Sequence, residues 1–234
     1  MNIGGYQKLT LIDFPAHLAA TVFTIGCNFR CPFCHNPELV LGGGGFLVGG
    51  QNKREEEFYA FLEKRKGKLE GVCITGGEPT LQIDLEDFIR KVRQMGYLVK
   101  LDTNGARPDV LKKLFQQKLL DFVAMDIKNQ PERYQETVGV SVDVERIKLS
   151  VELIRNSRVP YEFRTTVVPG IHREKDFLVI AKWLSGAKAY YLQQYREDVI
   201  LDKQLKQKTK GKKIDLEKNQ SKIEKNFEKM GIRR

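Results

Sequence analysis

The chain contains no run of about 18 uninterrupted apolar residues, so a membrane-spanning helix is not expected. Its opening stretch, MNIGGYQKLTLIDFP, lacks the basic start and apolar run of a secretory signal, and the expected location is the cytoplasm. Histidine is scarce, with three in 234 residues, and so is cysteine, with four. Three of these cysteines crowd into GCNFRCPFCHN, residues 26–36, too close together to staple a fold. In a reducing compartment such a group points to metal binding or catalysis. The fourth, Cys73 in EGVCITGG, stands alone in an apolar run and is expected to be a small buried hydrophobe.

Acidic charge is also in short supply, but only at one end. The net charge is +10, and residues 201–234 carry 12 Lys and Arg against 5 Asp and Glu. That segment therefore holds +7, leaving +3 for the first 200 residues, too little to argue that the body binds nucleic acid. A hydrophobic content of 41% is enough for a substantial core. The expected division is a body over 1–200 and a lysine-rich tail over 201–234. The tail is expected to be helical, with Ile223, Phe227 and Met230 on one stripe. It is either a solvated or loosely docked surface helix, or an element that docks a partner or binds nucleic acid.

Within the body, short β-rich runs alternate with helical stretches. Strands are expected at AATVFT (19–24), GVCIT (71–75), YLVKLDT (97–103), DFVAMDI (121–127), YEFRTTVV (161–168) and AYYLQQY (189–195). A glycine-rich connector, GGGGFLVGG (42–50), leads to a helix with Phe58, Phe61 and Leu62 at helical spacing. Another helix, DLEDFIRKVRQM, stops at Gly96, and the next begins near Pro108. Six strand–helix units imply a parallel α/β sheet, either open and doubly wound or curled into a full or partial barrel.

Cys27, Cys31 and Cys34 have the spacing C-x3-C-x2-C. A structural zinc site normally closes with four ligands. His35 is a poor fourth because it directly follows Cys34, and His17 and His172 are isolated. A cubane iron–sulfur cluster has four irons, so three thiolates leave one iron open. Thiolate softness suits both metals, but the ligand number favours the cluster, whose open iron is a reaction site.

The other polar motifs fall at strand ends. GGEPT (76–80) follows the second strand, DTNG (102–105) ends the third and MDIK (125–128) the fourth, while VVPG and QQY close the last two. In a parallel barrel all carboxyl ends share one rim, which carries the active site. Segments far apart in sequence would thus converge on one ligand.

The C-x3-C-x2-C spacing, with Phe33 just before the last cysteine, resembles the signature of radical S-adenosylmethionine enzymes, and GGEPT resembles their GGEP motif. The resemblance implies one 4Fe–4S cluster on Cys27, Cys31 and Cys34, with S-adenosylmethionine chelating the open iron. One electron from the reduced cluster cleaves the sulfonium, and the resulting 5′-deoxyadenosyl radical takes hydrogen from the substrate. The family places the methionyl amino group at GGEP, so Gly76, Gly77 and Glu78 are candidate cofactor contacts. Asp102, Thr103 and Asn104 are candidates for the ribose or for ordering the rim, or form a simple Asn-Gly turn. Arg164, inside an apolar strand, needs an anion or acceptor if buried, such as the cofactor carboxylate or ribose. Phe33 is a candidate to stack on adenine, or a core aromatic.

Beyond the signature, segments such as QKLTLIDFPAHLAATVFTIGCNFRCPFCHNPELV, VKLDTNGARPDVLKKL and YEFRTTVVPG resemble the longer-form activating proteins of anaerobic ribonucleoside-triphosphate reductase. That family has a partial (βα)6 TIM-like barrel and abstracts hydrogen from a backbone glycine of the reductase, leaving a glycyl radical. The resemblance implies that Asp126 and Lys128 contact the methionyl amino and carboxylate groups. It also implies a monovalent cation near Asp102 and Asp126, though Lys128 also reads as an ordinary exposed lysine. The expected partners are the reductase and an electron donor such as flavodoxin or ferredoxin, with no membrane and no nucleic acid for the core. The alternatives are a small-molecule radical enzyme, of the kind that makes deazapurines, and an activase of another glycyl-radical enzyme such as a lyase. A non-enzymatic iron–sulfur or zinc protein would leave GGEPT and DTNG unexplained.

Overall fold

A computed structural model describes residues 1–40, 51–197 and 199–234. The glycine-rich connector at 42–50 lies outside the described residues. Eight strands form one sheet in sequence order: β1 (Ile3–Thr10), β2 (Ala19–Thr24), β3 (Gly71–Gly76), β4 (Leu98–Thr103), β5 (Phe122–Asp126), β6 (Tyr161–Val167), β7 (Ala187–Gln194) and β8 (Phe227–Arg233). Only β1 pairs antiparallel with its neighbour; every other pair is parallel. The two edge strands do not pair with each other, so the sheet stays open.

Six of the strands, β2 to β7, are the six expected, with ends shifted by no more than two residues. Their side chains alternate between two faces, as the pleat requires. Val22, Val72, Ile74, Val99, Leu101, Val123, Met125, Phe163, Tyr190 and Leu192 are fully buried on one face of the sheet. Helices supply the matching apolar stripes. In the helix Leu85–Gln94 the buried residues are Leu85, Phe88, Ile89 and Val92, the i, i+3, i+4, i+7 pattern of one helix face. The helix Val144–Asn156 starts where the Asp143 side chain accepts from the Glu145 N–H, and it buries Ile147, Val151 and Ile154.

The other face of the sheet carries polar groups. Thr21, Cys73, Lys100, Asp102, Glu162 and Arg164 occupy alternate positions and neighbour one another by register: Thr21 pairs with Cys73, Cys73 with Lys100, and Asp126 with Arg164. Parallel sheets of this class bury both faces, but here one of them is lined for chemistry rather than for packing.

The tail differs from its expected form. It does contain helices, Lys203–Thr209 and Leu216–Ile223, but Phe227 and Met230 lie on β8 and not on a helical stripe. The tail is also not loosely docked. β8 pairs with β7 from Ala187–Phe227 to Gln193–Arg233, and Ile223 and Leu216 are buried. Arg233 grips the buried Glu162 with two hydrogen bonds of 2.6 Å each and lies over the Tyr191 ring at 4.0 Å. β1 was not expected at all; its sequence, IGGYQKLT, has neither the alternation nor the β-branched density of the others.

Glu162 is 2% exposed, and beyond Arg233 its other ion-pair partner is Arg164 at 3.9 Å. Arg233→Ala is therefore expected to cost about 1–3 kcal/mol, by leaving a buried carboxylate under-compensated. Urea unfolding checks this: the midpoint should fall while the slope stays unchanged.

Candidate active site

The cysteine loop leaves β2 at its carboxyl end and is pinned by backbone contacts on both sides. The Gly26 N–H donates to the Leu39 carbonyl at 2.7 Å, and the Arg30 N–H donates to the Val138 carbonyl at 2.8 Å. Arg30 folds back, its guanidinium donating to the carbonyls of Cys27 (2.6 Å) and Phe29 (2.8 Å). A turn between Cys31 and Cys34 closes with a 3.0 Å backbone bond. All four cysteines are free thiols. Burial pushes the three loop thiols above the ordinary range, Cys31 to about 12, and the Lys128 ammonium opposes that rise at each. These thiols must lose their protons to bind a metal, so loading releases protons.

GGEPT meets this loop edge to edge. The Gly77 N–H donates to the Thr24 carbonyl and the Glu78 N–H to the Gly26 carbonyl, both at 2.8 Å. The glycines answer to this approach. Gly76 has φ +113°, and a Cβ on Gly77 would stand 2.1 Å from the Gly26 carbonyl oxygen. Both line the cavity, and their lack of a side chain also lets the backbone of the cysteine loop come close.

Glu78 is buried and fully engaged inside the protein. Its carboxylate accepts from the Thr80 N–H (3.1 Å), the Thr80 hydroxyl (2.5 Å), the Thr103 hydroxyl (2.8 Å) and the Asn104 N–H (2.6 Å). Burial pushes its pKa up against those four bonds. Asn104 then reaches the cysteine loop, donating to the Asn28 side chain at 2.8 Å and approaching the Cys27 sulfur at 3.9 Å. Glu78 thus ties the end of β3 to the end of β4, and Asn104 ties β4 to the cysteines.

Below this rim runs a ladder of opposite charges. Lys100 pairs with Asp102 Oδ1; Arg164 Nη1 donates to Asp102 Oδ2 at 3.1 Å, and its Nε donates to Asp126 Oδ1 at 2.9 Å; Lys128 donates to Asp126 Oδ2 at 2.9 Å. All four carboxylate oxygens therefore face a fixed cation. Burial alone would raise both aspartates, but Arg164 with Lys100 outweighs it at Asp102, and Arg164 with Lys128 at Asp126, holding both carboxyls low. Lys128 is not an exposed lysine. His172 helps to place it, because the Val168 N–H donates to Nδ1 at 3.0 Å and Nε2 lies 2.8 Å from the Lys128 carbonyl. That pair of contacts fixes a neutral ring protonated on Nε2, and burial lowers its pKa accordingly.

One cavity of about 390 Å³ collects every candidate: the three cysteines and Phe33, Gly76, Gly77 and Glu78, Asp102, Thr103 and Asn104, Asp126, Lys128 and Arg164. That volume suits a small-molecule ligand. Phe33 lines it while almost buried, with its ring edge-to-face with His172 at 6.4 Å. Sequence reasoning missed Lys100, Glu162 and Asp13. Asp13 also lines the cavity and accepts from the Thr21 hydroxyl at 2.6 Å. The signal was present as alternation, K-x-D in β4 and E-x-R-x-T in β6, which puts polar groups on one strand face. Cys73 is buried as expected, but beside Lys100 (3.7 Å) and Asp102 (3.8 Å) rather than among apolar groups.

Among the described residues, no three ligand-type side chains are gathered tightly enough to hold a metal ion. Cys27, Cys31 and Cys34 line one cavity, and their soft thiolates suit a metallocluster there.

Three free thiols at the carboxyl rim of an α/β sheet, beside a cavity of fixed charges, are the donor set of a thiolate-held metallocluster. The chain belongs to the radical SAM superfamily, whose family description matches residues 21–184. Membership makes it a radical SAM enzyme and implies a 4Fe–4S cluster and S-adenosylmethionine. A Methanocaldococcus jannaschii protein named for glycyl-radical enzyme activation is 33% identical over 222 residues, covering 92% of this chain and 88% of that one. The pyruvate formate-lyase 1-activating enzyme of Escherichia coli K12 is 31% identical over 182 residues, 75% of this chain and 71% of that one. Among solved structures, Streptococcus suis SuiB bound to S-adenosylmethionine superposes with a TM-score of 0.66 at 14% identity, over 90% of this chain and 48% of that one. The chain thus spans about half of that protein, and the likeness establishes the partial-barrel fold.

Gly77→Ala tests the loop junction. The added methyl must displace the Gly26 carbonyl and with it the cysteine loop, so iron bound per chain after anaerobic reconstitution should drop by half or more, an order-of-magnitude expectation for a strained backbone contact. Iron and sulfide analysis, alongside a thermal melt of the metal-free chain, separates lost loading from lost folding.

Proposed function

We propose that the protein is a glycyl-radical activase whose substrate is a backbone glycine of anaerobic ribonucleoside-triphosphate reductase. The observation that carries the reading is the joining of three thiols and a ladder of fixed charges in one cavity. Lys128 and Arg164 line that cavity, and Asp126 and Asp102 hold them in place. The carboxylate of an amino-acid group complements Lys128 and Arg164, the two cations that line the cavity. The relative named for glycyl-radical enzyme activation matches over nearly the whole chain, which favours a protein glycine over a small molecule as substrate. The segments quoted above favour the reductase among glycyl-radical enzymes.

In this reading Cys27, Cys31 and Cys34 hold the cluster, which supplies the electron for sulfonium cleavage when cofactor is bound. Glu78 acts through others: it holds Thr103 and Asn104 and keeps the rim in register. Asp102 sets Arg164, and Asp126 sets Lys128, so both cations face the cavity in defined positions. Phe33 and the loop carbonyls close one wall and limit access of water to the thiols. The test is anaerobic reduction with S-adenosylmethionine and the purified reductase. A glycyl radical signal by electron paramagnetic resonance is expected, and Cys31→Ala should abolish it. An intact cluster that cleaves the cofactor but leaves the reductase without that signal defeats the activase reading.

A monovalent cation at Asp102 and Asp126 does not fit this arrangement, because every carboxylate oxygen there already faces a lysine or arginine. Lys100, buried in the barrel, stands in for such an ion. Cofactor affinity should therefore be indifferent to sodium or potassium when tetramethylammonium holds ionic strength constant. Lys100→Met frees Asp102 Oδ1, and the variant should bind S-adenosylmethionine about tenfold more weakly until sodium or potassium is added. Equilibrium dialysis of reconstituted protein with and without each ion makes the comparison.

A further inference from the structure

The tail has a second feature that neither the core nor the ligand cavity uses. Between residues 203 and 213 the chain carries Lys203, Lys206, Lys208, Lys210, Lys212 and Lys213, all exposed, with no acidic residue among them. The flanking acids are committed elsewhere: the Asp202 side chain accepts from the Gln204 N–H, and the Asp215 side chain from the Lys218 N–H. None of the six ammonium groups pairs with a carboxylate among the described residues. The run is nevertheless fixed in place, because Leu205, Thr209 and Leu216 are buried beneath it.

Its place in the fold decides what it can do. The Asp202 N–H donates to the Pro32 carbonyl at 2.9 Å, and Pro32 lies between Cys31 and Phe33. Just before the helix, Tyr195 stacks on His35, the residue after Cys34, with centroids 6.2 Å apart. The lysine helix is thus bolted to the outside of the cysteine loop. A cation-rich surface there attracts an acidic protein and steers it to the wall behind which the thiols sit.

We propose that Lys203–Lys213 is the docking surface for an acidic, low-potential, one-electron carrier protein, placed so that its redox centre faces the cysteine loop. One electron leaves the reduced carrier, which is oxidised by one, and is taken up at the thiolate-held cluster, reduced by one. No atom is transferred. The inference rests on membership of the radical SAM superfamily and is independent of which substrate the radical attacks. Nucleic acid, the other polyanion such a run could attract, has no reason to seek the cysteine loop.

The test uses the full cluster-loaded chain, with flavodoxin as the probe. A Lys206→Glu, Lys208→Glu, Lys210→Glu variant is compared with the parent and with the matching triple Lys→Arg variant. Calorimetry measures affinity for oxidised flavodoxin at low and high salt. Stopped-flow spectroscopy measures cluster reduction by flavodoxin hydroquinone and by dithionite. The expected result is a loss of affinity of about tenfold or more and a weaker salt dependence in the Glu variant, with full retention in the Arg variant. Reduction by flavodoxin should slow in parallel while reduction by dithionite is unchanged. Unchanged affinity for flavodoxin overturns the proposal, as does equal slowing with both reductants. So does a loss of nucleic-acid binding with flavodoxin-driven reduction intact. A Glu variant that fails to fold leaves the parent decisive: flavodoxin affinity that does not fall with salt overturns the proposal.

Discussion

The alternating ladder Lys100–Asp102–Arg164–Asp126–Lys128 is the constraint on which the rest of the site depends. It crosses three neighbouring strands inside a sheet, where an unpaired charge costs several kcal/mol. Arg164 bridges Asp102 and Asp126 across the strands, Lys100 and Lys128 pair with the aspartates two residues away, and no single side chain can turn away without stranding another. This fixes the cations of β6 and of the β5 terminus relative to the cysteine loop more firmly than apolar packing could. The order continues outward through Glu162 to Arg233, so the last strand of the chain is coupled to the centre of the cavity.

The glycines of GGEPT serve the same end by a different force. Two parallel strands can carry a loop and a motif at the same height only if their backbones pass within hydrogen-bonding distance beyond the sheet. Gly76 and Gly77 make that passage possible, and the bonds from Gly77 and Glu78 to Thr24 and Gly26 lock it. Glu78 extends the lock to β4 through Thr103 and Asn104. The motif that reads in sequence as a cofactor contact is, in the structure, also a clamp among three strand ends.

Most of the rim was legible in the sequence because its signals are local. Cysteine spacing, GGEPT, DTNG and MDIK each announce themselves within a few residues, and the strand–helix rhythm places them on one edge of a sheet. The ladder was legible only in part. Asp126, Lys128 and Arg164 stood out as charged residues in or beside apolar strands, but Lys100 and Glu162 acquire meaning only when strand neighbours are known. β8 was hidden for a related reason. Ile223, Phe227 and Met230 fit a helical stripe, and nothing local reveals that β7 offers a free edge for a strand to fill. His172, isolated in sequence, becomes a support for the Lys128 backbone only through a contact between residues 44 positions apart.

Lys128 links the two halves of the cavity. Its ammonium pairs with Asp126 on one side, and on the other it opposes the rise that burial imposes on the three loop thiols. A group that shares a charge between two sites couples them, because whatever draws it toward one reduces its effect at the other. A carboxylate bound beside Lys128 would share that ammonium with Asp126 and with the thiols, so three sites meet at one charge.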